Sequence, residues 1–149
     1  MRVLIVCSSG GHLTQALALE SWWGSHERSW VTLPTEDARS RLQGERVVEA
    51  HYPTVRNAPN LLRNFGLARS VLRREKPDLI FSTGAAIALP FFIQARSVGA
   101  RTVFLEPVDR ISAPSLSGRL VYPFADKMLV QWDSLLPAYP DADSVGIVL

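Results

Sequence analysis

The chain predicts an α/β fold: a Rossmann-like, doubly wound parallel sheet with helices on both faces. Three observations carry this. Short, almost wholly apolar runs such as Val3-Leu4-Ile5-Val6 recur along the chain. They alternate with segments of helical pattern, and strands that are apolar throughout are buried on both faces, as in a parallel sheet between helical layers. The first run leads into Ser8-Ser9-Gly10-Gly11-His12, a glycine turn that opens directly onto a helical pattern. At 149 residues the chain has room for one such sheet and a sizeable core, so a single domain over 1–149 is expected.

The elements follow in order. Arg2 to Cys7 is a strand and Gly11 to about Trp22 a helix. Ser29 to Leu33 is a short strand ended by Pro34. Thr35 reads as a cap, with Glu36 and Asp37 as an acidic first turn, for a helix through about Leu42. Arg46 to Ala50 is a third strand. His51 to Asn60 is a loop, and Asn60 is the expected cap of a helix from Leu61 to Lys76, stopped by Pro77. Leu79 to Ser82 is a strand, Thr83-Gly84-Ala85 a turn, and Ile87 to Val98 a helix. Pro90 is tolerated in its first turn. Gly99 stops that helix before a strand from Arg101 to Leu105. A loop over Glu106 to Pro114, a helix from about Ser115 to Tyr122 and a strand from Lys127 to Gln131 come next. Trp132 to Tyr139 is irregular, and Val145 to Leu149 is expected as a last strand.

Composition narrows the classes of function. Hydrophobic residues at 47% and charged residues at 20% mark a globular chain, not a disordered one. A net charge of +2 is too weak to argue for nucleic acid. Cys7 is the single cysteine, which rules out an internal disulfide and fits a reducing compartment. No apolar run is long enough to span a bilayer, and the N-terminus enters a strand without a leader pattern. A cytoplasmic protein with peripheral membrane contact is expected.

Parallel sheets bind ligands beyond the carboxyl ends of their strands. That rule nominates three loops: Ser8 to His12, Ser82 to Ala86 and Glu106 to Arg110. In the first, two glycines allow close backbone approach and the helix start offers free N–H groups to an anion. His12 sits at its mouth as a candidate general base, or as a plain helix cap. The turn lacks the third glycine of a dinucleotide fingerprint and the Gly-Lys-Ser/Thr of a P-loop. Ser82-Thr83-Gly84-Ala85 is either ordinary crossover geometry or a second phosphate corner. Glu106 could orient His12, accept from a sugar hydroxyl, pair with Arg110 or cap a helix.

Other features read more plainly. Leu61, Phe65, Ala68 and Leu72 form an apolar stripe, and Arg63, Arg69, Arg73 and Arg74 lie beside or away from it. That basic face is solvated, or it meets anionic lipid. Asp141-Ala142-Asp143 reads as a turn rather than a metal motif, Trp22-Trp23 as packing, and Cys7 as core. No His, Cys and carboxylate spacing suits a metal, and neither metal nor cofactor is expected.

Several segments together resemble one family: Ser9-Gly10-Gly11-His12-Leu13, Lys76-Pro77-Asp78-Leu79-Ile80, Ser82-Thr83-Gly84-Ala85, Phe104-Leu105-Glu106, and above all Ser115 to Lys127 with Val130-Gln131-Trp132. These are similar to the PssD/CpsF-type proteins of bacterial capsule and exopolysaccharide synthesis. Those in turn resemble the membrane-recruiting subunit of the two-part eukaryotic UDP-GlcNAc transferase. The resemblance implies the N-terminal, acceptor-binding half of a GT-B glycosyltransferase, active only with a separate catalytic C-terminal-half subunit. That partner would hold most of the UDP-sugar, and a polyprenyl-diphosphate-sugar would be the acceptor. A sugar such as GlcNAc, another hexose or a hexuronic acid would be transferred at the inner face of the cell membrane.

Carried over, His12 and Glu106 become catalytic expectations. Ser9, Gly10, Gly11, Gly84, Arg56 and Asn57 become acceptor or phosphate contacts, with Arg110 and Asn64 beside them. The chain departs from the family at Pro107, where many relatives carry Ser, at Asp109, and in lacking the membrane-spanning helix of eukaryotic relatives. The alternatives are a non-catalytic scaffold that recruits and activates the transferase, and a self-sufficient nucleotide-binding enzyme.

Overall fold

A computed structural model describes all residues, 1–149. It contains one seven-stranded sheet in the order β3-β2-β1-β4-β5-β6-β7, with every adjacent pair parallel. The strands are β1 Arg2–Cys7, β2 Glu27–Thr32, β3 Val47–Glu49, β4 Leu79–Gly84, β5 Arg101–Leu105, β6 Lys127–Val130 and β7 Asp143–Ser144. The helices are α1 Gly11–Leu17, α2 Glu20–Trp23, α3 Glu36–Arg41, α4 Ala58–Glu75, α5 Ala88–Gln94 and α6 Leu116–Val121. The expected doubly wound α/β class is observed.

The pleat of β1 divides the interior into two cores. Leu4 and Val6 face one side, where Ala68, Val71 and Leu72 of α4, Phe91 and Phe92 of α5 and Val121 of α6 close over them. Val3, Ile5 and Cys7 face the other, under Leu13 and Ala16 of α1, Trp23 of α2 and Ala38 of α3. Strand alternation thus converts one apolar run into two buried faces. The second face is less fully covered. Over β4, β5 and β6 an apolar trough of about 370 Å³ remains, bounded by Leu19, Trp22, Val145 and Val148 and floored by Leu79, Phe81, Val103, Leu105 and Leu129.

The structure corrects several boundaries. The expected first helix is two, α1 and α2. The Trp23 indole donates to the Ala16 carbonyl at 2.8 Å, occupying the acceptor a continuous helix would offer to residue 20. The cap of α4 is Asn57, not Asn60. Its side chain accepts from the Asn60 N–H at 2.9 Å, and Pro59 lies in the first turn, where no N–H is needed. Asn60 instead donates to the Pro53 carbonyl at 2.8 Å. The helix from Ile87 tightens to a 3₁₀ turn over Ala95–Val98. The last strand is only Asp143–Ser144. After Val145 bonds to Val130, the chain turns at Gly146, with φ +76°, and the Val148 N–H passes to the Gln131 side chain at 2.8 Å.

Candidate functional site

β1 runs outward to β2 and β3, whereas β4 returns to the other side of β1. The connections after these two neighbours therefore diverge and open a crevice, the switch point where such sheets bind ligands. A cleft of about 650 Å³ lies there, lined by Gly11, His12 and Gln15, by Ala85, by Pro107 to Arg110, by Ser115 to Ser117, and by Val55. All three nominated loops contribute. Gln15, Ser115–Ser117 and Val55 are additions.

His12 is held from the β4 side. Its Nδ1 lies 2.8 Å from the Thr83 carbonyl. A carbonyl can only accept, so Nδ1 carries the proton, and in the neutral ring Nε2 keeps its lone pair. The Thr83 hydroxyl returns a bond to the His12 carbonyl at 2.6 Å. Gly84 supplies the seat. A Cβ there would stand 2.6 Å from His12 Cε1 and Nδ1, and its φ of +129° disfavours any side chain. Thr83 orients the ring through its backbone carbonyl, which leaves no residue-type signal in the sequence.

The expected phosphate contacts need correction. The Gly10 N–H is occupied by Asp37 Oδ2 at 3.0 Å, and the Gly84 N–H by the Ser82 hydroxyl at 3.1 Å. Asp37 in turn lies 3.7 Å from Arg41, which also donates to Thr14 at 2.9 Å. Backbone donors without an acceptor in the chain are those of Gly11, His12 and Leu13. Ser9 sits half-buried on the turn, where its carbonyl accepts from the Ser8 hydroxyl.

Glu106 does not orient His12. It is fully buried. Its carboxylate accepts from the Ser115 N–H at 3.2 and 3.3 Å, the Ser115 hydroxyl at 3.1 Å and the Tyr139 hydroxyl at 2.5 Å. Ser115 also caps α6, accepting from the Gly118 N–H at 2.9 Å. Gly118 makes room, since a Cβ there would come within 1.8 Å of Glu106 Oε1. Of the alternatives open in the sequence, the helix-capping one is observed: the carboxylate satisfies donors at the start of α6. Burial, then the bond to Glu106, pushes the Tyr139 hydroxyl well above its ordinary pKa.

The remaining expectations separate. Arg110 lines the cleft, 3.9 Å from Asp109. Arg56 and Asn57 stand outside it, on an adjoining hollow. Asn64 is buried, bonded to the His51 N–H at 2.8 Å and the His51 carbonyl at 3.2 Å, so it pins the loop before α4. Asp143 pairs with Lys127 at 2.6 Å. Trp23 packs edge-on against Trp30, and Trp22 against Phe81. Cys7 is buried, and burial pushes its thiol up to about 12. Gln131 donates to Gln15 at 2.8 Å and to the Glu106 carbonyl at 2.9 Å, tying cleft wall to sheet.

Known proteins share this architecture. The family model described as "Oligosaccharide biosynthesis protein Alg14 like" matches residues 41–148. The UDP-N-acetylglucosamine transferase subunit ALG14 of Homo sapiens is 22% identical over 182 aligned residues, covering 100% of this chain and 83% of the relative. The UDP-N-acetylglucosamine--N-acetylmuramyl-(pentapeptide) pyrophosphoryl-undecaprenol N-acetylglucosamine transferase of Staphylococcus haemolyticus is 37% identical over 84 residues, or 55% of this chain and 23% of that protein. The crystal structure of Acinetobacter baumannii MurG superposes with a TM-score of 0.80 at 19% identity, over 100% of this chain and 46% of MurG. The chain thus spans just under half of that structure, and at this identity the likeness shows the fold.

Proposed function

The chain belongs to the family of Alg14-like oligosaccharide biosynthesis proteins, and from that premise we propose that it is one subunit of a two-part glycosyltransferase. It presents a lipid-linked acceptor to a UDP-sugar held by a partner chain. Within the family we place it with the PssD/CpsF-type proteins of bacterial polysaccharide synthesis. The names of its relatives favour GlcNAc as the sugar and a polyprenyl-diphosphate-linked saccharide as the acceptor. The observation that carries the reading is the His12 ring, fixed by the Thr83 carbonyl at the switch-point cleft.

The chemistry follows from that geometry. His12 Nε2 takes the proton of the acceptor hydroxyl while its oxygen forms a bond to the anomeric carbon. The bond from that carbon to the UDP oxygen breaks, UDP leaves with the electron pair, and configuration inverts. A positioned base of this kind contributes about 10²–10⁴-fold. The Thr83 carbonyl orients the ring, and Glu106 shapes the loop from which the acceptor is held. The donors of Gly11, His12 and Leu13, with Arg110, supply positive potential for the acceptor diphosphate.

The partner would cover the apolar trough over β4 to β6, which one chain leaves open. No helix is long and apolar enough to cross a membrane. We place the chain in peripheral contact with the inner face of the cell membrane. The second reading, a recruiter without catalytic residues, is favoured by the engagement of the Gly10 and Gly84 donors within the chain. Transfer of radiolabelled GlcNAc from UDP-GlcNAc to a lipid-linked acceptor, with each chain alone and both mixed, separates them. The shared-site reading requires activity only in the mixture and its loss in His12→Ala with partner binding intact. Full turnover in His12→Ala would leave the recruiter.

A further inference from the structure

Gln131, buried just beyond the end of β6, joins the polar cleft to the apolar trough. Its Nε2 donates to Gln15 Oε1 at 2.8 Å and to the Glu106 carbonyl at 2.9 Å, and its Oε1 accepts from the Val148 N–H at 2.8 Å. Gln15 lines the cleft one helical turn after His12 on α1. The Glu106 carbonyl precedes Pro107, where another wall of the cleft begins. Val148 bounds the trough. One carboxamide thus touches two walls of the cleft and one wall of the trough.

The bonding pattern admits a single orientation of that amide. A backbone carbonyl only accepts and a backbone N–H only donates, so Nε2 must face Glu106 and Oε1 must face Val148. A flipped amide would set donor against donor and acceptor against acceptor. Gln15 must in turn offer its Oε1 to Gln131, and its Nε2, which has no partner within the chain, is left for the cleft. Val148 itself is lightly held. Of residues 145–149, Val145 and Val148 are those whose N–H groups find acceptors, in Val130 and Gln131. Gly146 between them stands at φ +76°, and Val145 and Ile147 are exposed. A segment with so few anchors opens at low cost. When Val148 leaves, Gln131 Oε1 becomes a bare buried acceptor, and the amide loses one of the two backbone bonds that fix its orientation.

We propose that Gln131 is a positioning residue through which the trough controls the cleft. The partner chain, seated in the trough, pins the segment at Val148. The Gln131 carboxamide passes that constraint to Gln15, beside the base, and to the main chain from which the Pro107–Arg110 wall departs. This rests on the partner's place in the trough given above. Partner docking then does two things: it brings the UDP-sugar, and it orders the side chains that meet the acceptor.

The full chain without a partner gives the first test. Val145→Phe, at the exposed rim, fills the trough as an occupant would and leaves the backbone bonds in place. It is expected to shift the Gln15 side-chain amide and the His12 Cε1–H resonances, and to leave the His12 resonance unmoved when combined with Gln131→Met. Gln15→Met, which cuts only the cleft end of the relay, should silence the His12 response in the same way and serves if Gln131→Met does not fold. A Val145→Phe chain with both resonances unmoved, or an equal His12 shift with and without Gln131→Met or Gln15→Met, would overturn the proposal. With the partner at saturation, Gln131→Met should bind it within a fewfold of the parent yet transfer sugar about tenfold more slowly, within the usual range of coupling between sites. Binding and rate that fall together would leave Gln131 a mere support of the trough wall and overturn the relay. Parent chains that transfer no sugar when mixed would sink the transferase reading instead, and the resonance shifts would still decide the relay.

Discussion

His12 and Glu106 stand at the carboxyl ends of neighbouring halves of one sheet, and both carry the residue types of acid–base chemistry. Their surroundings make them opposites. His12 is half-buried, has one ring nitrogen bound by a carbonyl and lines the cleft. Glu106 is sealed from solvent and its carboxylate is filled by the backbone and hydroxyl of Ser115 and the hydroxyl of Tyr139. A group whose acceptors are all occupied holds structure together; a group with one free atom facing a cavity can act on a ligand. The inventory of partners separates the two roles, and position at a strand end does not.

The largest effect that would sharpen this contrast is on turnover. His12→Ala, assayed with the partner chain, should lose about 10²–10⁴-fold in rate with its melting temperature nearly unchanged. Glu106→Ala should do the reverse. Three donors lose a charged acceptor, so folding should weaken by about 3 kcal/mol or more in denaturant titration. Gly118→Ala, which drives a methyl into the same carboxylate, should fall in the same direction. A Glu106→Ala chain of full stability and no activity would break the comparison.

Alkaline pH probes the sealed side next. Cys7 titrates near 8.5 when unfolded, and burial pushes it up to about 12 in the fold. A raised thiol pKa stabilises the fold fully below the unfolded value, and that contribution is lost as pH climbs from there toward the folded one. Stability should fall by up to about 1.4 kcal/mol per pH unit above that point. Cys7→Ala should flatten the slope, as denaturation midpoints at several pH values would reveal. The smallest expected effect is at the cap of α4, where Asn57→Ala should cost about 1 kcal/mol of stability. Its turnover with a lipid acceptor should stay within a fewfold; a larger loss would return Asn57 to the acceptor site.

Much of this architecture was legible in the sequence. Unbroken apolar strands alternating with helices led to the parallel sheet, and the strand-end rule brought three separate loops to one cleft. What escaped has physical reasons. The partner of His12 is a backbone carbonyl, invisible in residue type. The fate of Glu106 depends on Ser115, nine residues on, folding back over it. The Gly10 donor is taken by Asp37, which arrives from α3 and is announced by nothing local, whereas the Gly84 donor is taken by Ser82 only two residues before it. The cap of α4 was within reach, since Pro59 favours a first turn and so favours Asn57 over Asn60. The terminal strand failed because a side chain, Gln131, takes the place of the next ladder bond.

In the proposed reaction the base is His12 positioned by Thr83, and Glu106 is confined to structure. The most direct test compares His12→Gln with Glu106→Gln in the mixed two-chain transfer assay, with rates normalised to folded protein. His12→Gln is expected to abolish transfer, while Glu106→Gln keeps turnover within a fewfold of the parent at reduced stability. Retained transfer in His12→Gln, with its loss in a fully folded Glu106→Gln, would contradict it.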